Sequence, residues 1–271
     1  MSLITYELQD KVALIGLNRP EKRNAINRSL LQDLQEAVTL AGEEADAAVL
    51  FGHGEHFSSG LDLAEHAERM AAGPQQGKRR PHPWHTVFDL IARGTIPFVA
   101  ALHGATVGGG LELASAAHIR VADETTFFAL PEGRRGIFVG GGGTVRIQRI
   151  IGYATMADMM LTGRILSAAE GQEAKIVQYL VKQGDALAKA KELATVIASN
   201  TELTNWQITN LLPRINDMSH DDGLFVEALN STIARPPQTM DRLQAFLNKR
   251  AEPLKPANVS ADHHTSHSAS T

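Results

Sequence analysis

The sequence predicts an α/β fold, and three features of it do so. Short apolar runs of strand length recur at Val12–Leu17, Ala47–Phe51 and Phe98–Leu102. Between the first two, Leu30, Leu34, Ala37, Val38 and Ala41 fall on one face of a helix. From Asp185 to Ala251 the apolar spacing becomes helical almost throughout. Strands alternating with amphipathic helices bury their apolar faces by layering helices on a sheet.

Taken in order, Tyr6–Leu8 and Val12–Leu17 read as a hairpin around the polar Gln9-Asp10-Lys11. The loop NRPEKRNAIN follows, and Ser29 with Gln32 fits a capping box for a helix that ends near Gly42. Ala47–Phe51 is a buried strand, and GHGEHFSSGLDL is the loop after it. Residues 64–86 mix charge with glycine and three prolines, which predicts a mobile surface segment at a pocket mouth. Val87, Phe88, Leu90 and Ile91 suit a helix. Then come the strand FVAAL, the turn GATVGGG and the helix LELASAA. A second glycine cluster, Gly140–Gly143, precedes the periodic run Val145, Ile147, Ile150 and Ile151. Ser167 and Glu170 form another capping box, introducing a helix that leads to a strand over Ile176–Val181. Leu187, Ala190, Leu193, Ala194 and Ile197 share one helical face, as do Leu224, Phe225, Ala228 and Leu229. Pro236 and Pro237 suit the start of a last helix with Met240, Leu243, Phe246 and Leu247 on its apolar side. The closing ADHHTSHSAST has nothing apolar to pack and predicts disorder.

Composition narrows the class. With 271 residues, 43% hydrophobic and 21% charged, the chain suits one core with a smaller appendage in a soluble globular protein. A net charge of −4 gives no electrostatic footprint for nucleic acid, and Lys78, Arg79 and Arg80 make one local basic patch that reads as a solvated loop. The absence of cysteine excludes thiolate chemistry and is compatible with a reducing cytoplasm. No 18-residue apolar run predicts a membrane span, and MSLITYELQD has no pattern of a secretory signal.

The chemistry concentrates between Phe98 and Thr144. Gly108, Gly109 and Gly110 let a ligand approach bare backbone N–H groups, and the following helix adds partial positive charge there, an arrangement suited to an anion or a developing oxyanion. Glu112 and Glu132 each stand near one glycine cluster. Alone, Glu112 reads as a first-turn acid favoured by the helix dipole. Glu132 alone reads as a loop acid paired with Arg134 or Arg135, a contact worth under about 1 kcal/mol if exposed. Neither cluster is a phosphate-binding Walker loop, because no Gly-Lys-Ser/Thr follows. His103 lacks partners at metal spacing and reads as a packed or hydrogen-bonded histidine; His263, His264 and His267 read as exposed, and no metal site is expected.

Six segments together carry a resemblance: LNRPEKRNAIN at 17–27, HFSSGLDL at 56–63, HGATVGGGLELA at 103–114, LPEGRRGIFVGGGGT at 130–144, LTGRILSAAEG at 161–171 and FLNKR at 246–250. In this order and spacing the chain resembles the crotonase superfamily, the enoyl-CoA hydratase and isomerase group, from about Val12 to Leu254. The resemblance implies a crotonase-like spiral of strand-strand-helix units over 1–200 and a C-terminal helical region over 201–254 that builds a homotrimer or a dimer of trimers. Residues 255–271 would be a disordered tail. It also implies an oxyanion hole on the backbone N–H groups of Leu61 and Gly109, catalysis by Glu112 as base and Glu132 as acid, and a water held by the Gly140 N–H. Coenzyme A would be met by Lys22, Arg23, Ala25, Ser59, Asp62 and, from a neighbouring subunit, Lys249. Phe138-Val139 stands where hydratases often carry Ile-Pro, and beside the tandem Arg134-Arg135 it implies an acyl pocket re-aimed by Phe138 toward branched or aromatic groups.

The activity so implied is hydration of an enoyl-CoA thioester to 3-hydroxyacyl-CoA, with no cofactor, since coenzyme A is part of the substrate. Two other readings stand beside it: another crotonase reaction, isomerisation or C–C cleavage, and a non-catalytic scaffold or RNA-binding member.

Overall fold

The structure is a computed structural model and describes residues 2–73, 82–233 and 237–248. The chain divides into two compact units, Met1–Ser231 and Thr232–Thr271. In the first, β1 (Ile4–Gln9) and β2 (Val12–Leu17) form the expected hairpin, with Asp10 taking a φ of 52° at its turn. Helix α1 (Arg28–Glu44) follows, then β3 (Ala47–Gly52), α2 (Leu63–Ala71), α3 (Pro83–Arg93), β4 (Phe98–Leu102), β5 (Ala105–Val107), α4 (Gly109–Ala114), β6 (Ile119–Asp123) and β7 (Phe127–Ala129). After a short helical turn at Gly133–Arg135 come α5 (Gly143–Ile151), α6 (Tyr153–Thr162), β8 (Ile165–Ser167), α7 (Ala168–Glu173), β9 (Tyr179–Val181), α8 (Ala186–Ala198), α9 (Glu202–Ile215) and α10 (His220–Ser231). The second unit carries α11 (Pro237–Leu247).

The main sheet has six strands in the order β1-β2-β3-β4-β6-β9, antiparallel only at the first pair. A smaller sheet runs β5-β7-β8. The apolar runs are nearly continuous because both faces of the main sheet are covered. Alternate residues divide between two cores: Ala13, Ile15, Leu17, Ala48 and Leu50 join the larger one with α1 and α3, whereas Val12, Leu14, Val49, Val99 and Val121 pack on α8. Ala186, Ala190 and Ala194 give α8 a face of small side chains, and all three are buried against the strands.

Several local expectations change. Helix α1 is capped by Asn27, whose side chain accepts from the Leu30 N–H, rather than by Ser29 with Gln32. The Asn side chain caps an orphan donor two residues earlier. The capping box of Ser167 and Glu170 is present in full. Residues 64–86 are in good part helical, since α2 and the start of α3 fall in them; Asp62 caps α2 and Pro83 sits in the first turn of α3. The strand expected over Ile176–Val181 is confined to Tyr179–Val181, with Ile176 and Val177 buried just before it. Lys78, Arg79, Arg80, Pro236, Lys249 and the tail with its histidines lie outside the described residues. Among the described residues, no helix is long and apolar enough to cross a membrane.

The carboxyl ends of β2 and β3 lie side by side, Leu17 opposite Gly52, and the loops leaving them are locked together by Asn24. Its fully buried side chain donates to the carbonyls of His53 (2.9 Å) and His56 (2.8 Å) and accepts from the Arg19 N–H (2.9 Å). Asn24→Ala would orphan all three groups, and a loss of about 3 kcal/mol is expected in denaturant unfolding. An unchanged midpoint would show that water replaces the amide freely.

Candidate active site

Two loops and one helix start converge at the ends of β3 and β4. Ile26 and Leu61 form an isolated parallel bridge, in which the Ile26 N–H donates to Gly60 and the Asp62 N–H donates to Ile26. That pattern turns the Leu61 N–H away from the bridge. Gly109 opens α4, and its N–H is among the first-turn donors that have no partner within the helix. The two donors are neighbours: a Cβ on Gly109 would stand 3.4 Å from the Leu61 nitrogen. Among the described residues neither N–H has a hydrogen-bond partner, so two unspent backbone donors lie side by side. Gly60 permits this approach, with φ +85° and no room for a side chain, since a Cβ there would lie 2.8 Å from the Gly109 nitrogen.

Both glutamates are buried here, Glu112 at 3% and Glu132 at 6% exposure. Glu112 lies in the short helix α4, and its Oε1 accepts from the N–H groups of Gly141 (2.7 Å) and Gly143 (2.8 Å) at the start of α5. The second glycine cluster therefore holds a carboxylate of the same chain. Glu132 sits opposite the Gly108 turn, where a side chain on that glycine (φ +53°) would come within 2.7 Å of Glu132 Oε1. Its Oε2 is buried without a protein partner among the described residues. Burial is the main force that pushes the Glu132 carboxyl up from 4.5 to about 7; its own backbone N–H works against this, the nearby Glu112 adds to it, and Arg135 opposes it. The two acids are thus electrostatically linked, and Glu132 is not the exposed ion-paired loop acid that isolation would suggest.

The structure brings Glu112, Glu132, Leu61 and Gly109 together. Gly140 lies in the same loop as the donors to Glu112 but is itself exposed, and those donors are its neighbours Gly141 and Gly143. Phe138 is 72% exposed, and the adjacent Val139 is the buried member of that pair. Lys22 and Arg23 are exposed on the loop after β2; the Ser59 N–H donates to the Arg23 carbonyl, and the Ala25 carbonyl accepts from Arg19. Asp62 spends its carboxylate on the cap of α2 and on Arg19 at 2.6 Å, and the guanidinium holds its carboxyl below the usual range. His103 is hydrogen-bonded to the Gly54 carbonyl at 3.0 Å. Among the described residues, no group of three or more His, Asp or Glu side chains is placed to hold a metal ion.

Sequence reasoning missed three contributors. Trp84 edges the donor pair, its ring 2.5 Å from where a Cβ on Gly109 would stand, and it meets Phe88 edge-on. Its spacing of four from Phe88 and seven from Ile91 was a readable helical stripe. Arg146 donates to the Gly141 carbonyl (2.5 Å) and pairs with Asp89 (3.2 Å), tying the glycine loop to α3. Arg19 joins the Ala25 carbonyl to Asp62. No local signal marks either arginine.

With this geometry established, relatives place it in context. The profile of the enoyl-CoA hydratase/isomerase family matches residues 7–262. A 2,3-dehydroadipyl-CoA hydratase of Escherichia coli is 31% identical, covering 94% of this chain and 99% of its own. Among solved structures, the enoyl-CoA hydratase of Bacillus anthracis superposes with a TM-score of 0.82 at 29% identity, covering 92% of this chain and 97% of that one. A Rhodopseudomonas palustris chain provisionally assigned as an enoyl-CoA hydratase is 44% identical, with a TM-score of 0.82 over 92% of this chain and 96% of its own.

Proposed function

Because this chain belongs to the enoyl-CoA hydratase/isomerase family, we propose that it is a hydro-lyase that adds water across the 2,3 double bond of an enoyl-CoA to give the 3-hydroxyacyl-CoA. The observation that carries this reading is the pair of buried acids, Glu112 and Glu132, beside two unspent backbone donors. The thioester oxygen accepts from the N–H groups of Leu61 and Gly109, the oxyanion hole. Glu112 removes a proton from water as its oxygen bonds to C3, the π electrons move toward the carbonyl, and the two donors hold the enolate charge. Glu132, with its raised pKa, delivers a proton to C2 as the carbonyl reforms. In the reverse direction the roles exchange, so one proton shared by the pair defines the active form either way.

Water is oriented between the acids with help from the Gly140 N–H. Lys22, Arg23 and Lys249 meet the coenzyme A phosphates, Ala25 and Ser59 offer backbone contacts, and Asp62 holds that loop through Arg19. No cofactor is needed, because coenzyme A arrives with the substrate. Phe138 steers the acyl group when the pocket is complete. The helices after residue 200 supply the contacts of a homotrimer or a dimer of trimers: Phe225 on α10 and Phe246 on α11 are 65% and 69% exposed in the single chain. A cytoplasmic location suits the cysteine-free sequence.

A broad panel of enoyl-CoA thioesters with product identification tests the reading. Loss of the conjugated thioester with formation of 3-hydroxyacyl-CoA is expected. An intact substrate throughout would overturn it, and a shifted double bond or a cleaved chain would replace hydration by another reaction of the family.

A further inference from the structure

A cavity of about 810 Å³ lies among α3, α5, α9 and the Ser115–Arg120 segment. It adjoins the site above, sharing Gly142 and the Arg146–Asp89 pair with it, but Glu112, Glu132, Leu61 and Gly109 do not line it, and neither does the loop carrying Lys22 and Arg23. Its size falls within the range of pockets that enclose small organic ligands.

The charge of its wall sets it apart from a chain whose net charge is −4. Five arginines line it, Arg93, Arg120, Arg146, Arg149 and Arg214, against the carboxylates of Asp89 and Asp217. Those two carboxylates are paired with Arg146 and Arg149, which leaves Arg93, Arg120 and Arg214 without a carboxylate partner among the described residues. Arg120 is 5% exposed; its Nε donates to the Ile176 carbonyl and its Nη1 to the Ala117 carbonyl, each at 2.5 Å. Among the described residues no carboxylate pairs with it, and burial alone pushes its guanidinium down to about 10, so it stays cationic at neutral pH. A buried cation without a counter-ion is costly, and a bound oxyanion relieves that cost. His118 is also in the wall: its Nδ1 accepts from the Phe98 N–H, which leaves the Nε2 to carry the ring's proton as a donor.

We propose that this cavity is a second binding site, for a small free multivalent oxyanion, a polycarboxylate or a phosphate, held by Arg120, Arg93 and Arg214. Its test reads binding rather than turnover.

The test is calorimetric titration of the full chain with inorganic phosphate and with tricarballylate, at constant ionic strength set by chloride. One saturable site per chain is expected, undiminished by saturating coenzyme A and weakened about tenfold or more in the double variant Arg93→Gln, Arg214→Gln. Arg120→Met should abolish binding; if that variant fails to fold, the double variant alone decides. Absence of saturable binding by about 10 mM of either probe would overturn the proposal. So would displacement by coenzyme A, affinity unchanged in the double variant, or an altered assembly mass in the double variant with no anion binding, since a carboxylate of a second copy would then be the occupant.

Discussion

Replacing Glu132 by glutamine is expected to lower kcat/KM for hydration by about 10²- to 10⁴-fold, the usual weight of a positioned proton donor. The same group sets the pH dependence. Its carboxyl is raised to about 7, so kcat/KM should fall tenfold per pH unit above that value as the shared proton leaves the acid pair. Because hydration consumes and releases no net proton, the dehydration direction must show the same limb. A profile that rises through pH 7 in either direction would remove Glu132 as the acid. The raised value also has a stability consequence of definite sign. A carboxyl raised above its unfolded value contributes stability that is fully present below pH 4.5 and lost as pH rises through about 7. Glu132→Gln should therefore gain on the wild type by up to about 3 kcal/mol between pH 4 and pH 8 in denaturant unfolding. A variant that is dead in turnover yet more stable at pH 8 is a combination that a merely structural glutamate would not produce.

Gly60→Ala should cost about 2.7 to 4 kcal/mol of barrier, or roughly 10²- to 10³-fold in kcat, by displacing one donor of the pair. The added Cβ would stand 2.5 Å from the Val107 carbonyl and 2.8 Å from the Gly109 nitrogen, at a φ of +85° that alanine resists. Leu61→Ala is the matching control. The proposed role of that residue uses only its backbone N–H, so its activity should stay within a few-fold of wild type. Full activity in Gly60→Ala, with the fold intact by circular dichroism, would show that Leu61 and Gly109 do not act together.

Much of this arrangement was legible in the chain, for physical reasons that differ by element. The strands were clear because a sheet buried on both faces leaves unbroken apolar runs such as Val12–Leu17. The first glycine cluster was clear because only glycine lets Gly108 bring the backbone so close to Glu132, and the lone Gly60 meets the same need beside Gly109. Residues 64–86 read as a surface segment, and α2 buries none of its residues; the helices α2 and α3 within it went unread because glycine and proline dominate the composition there. Partnership across the chain was the part sequence could not carry. That Gly141 and Gly143 donate to Glu112, or that Arg146 reaches from α5 to both Asp89 and the glycine loop, depends on packing between elements far apart in sequence. Asp62 shows the same limit, since its carboxylate is consumed by Arg19, forty-three residues earlier.

The most direct test of the two-acid site is the fate of a heavy oxygen atom when an enoyl-CoA is turned over in labelled water and the product is weighed by mass spectrometry. The expected product is an intact thioester with one heavy oxygen as the hydroxyl on C3. Label in a free carboxylic acid, or an unlabelled product with its double bond moved, would contradict water delivery by Glu112 and Glu132.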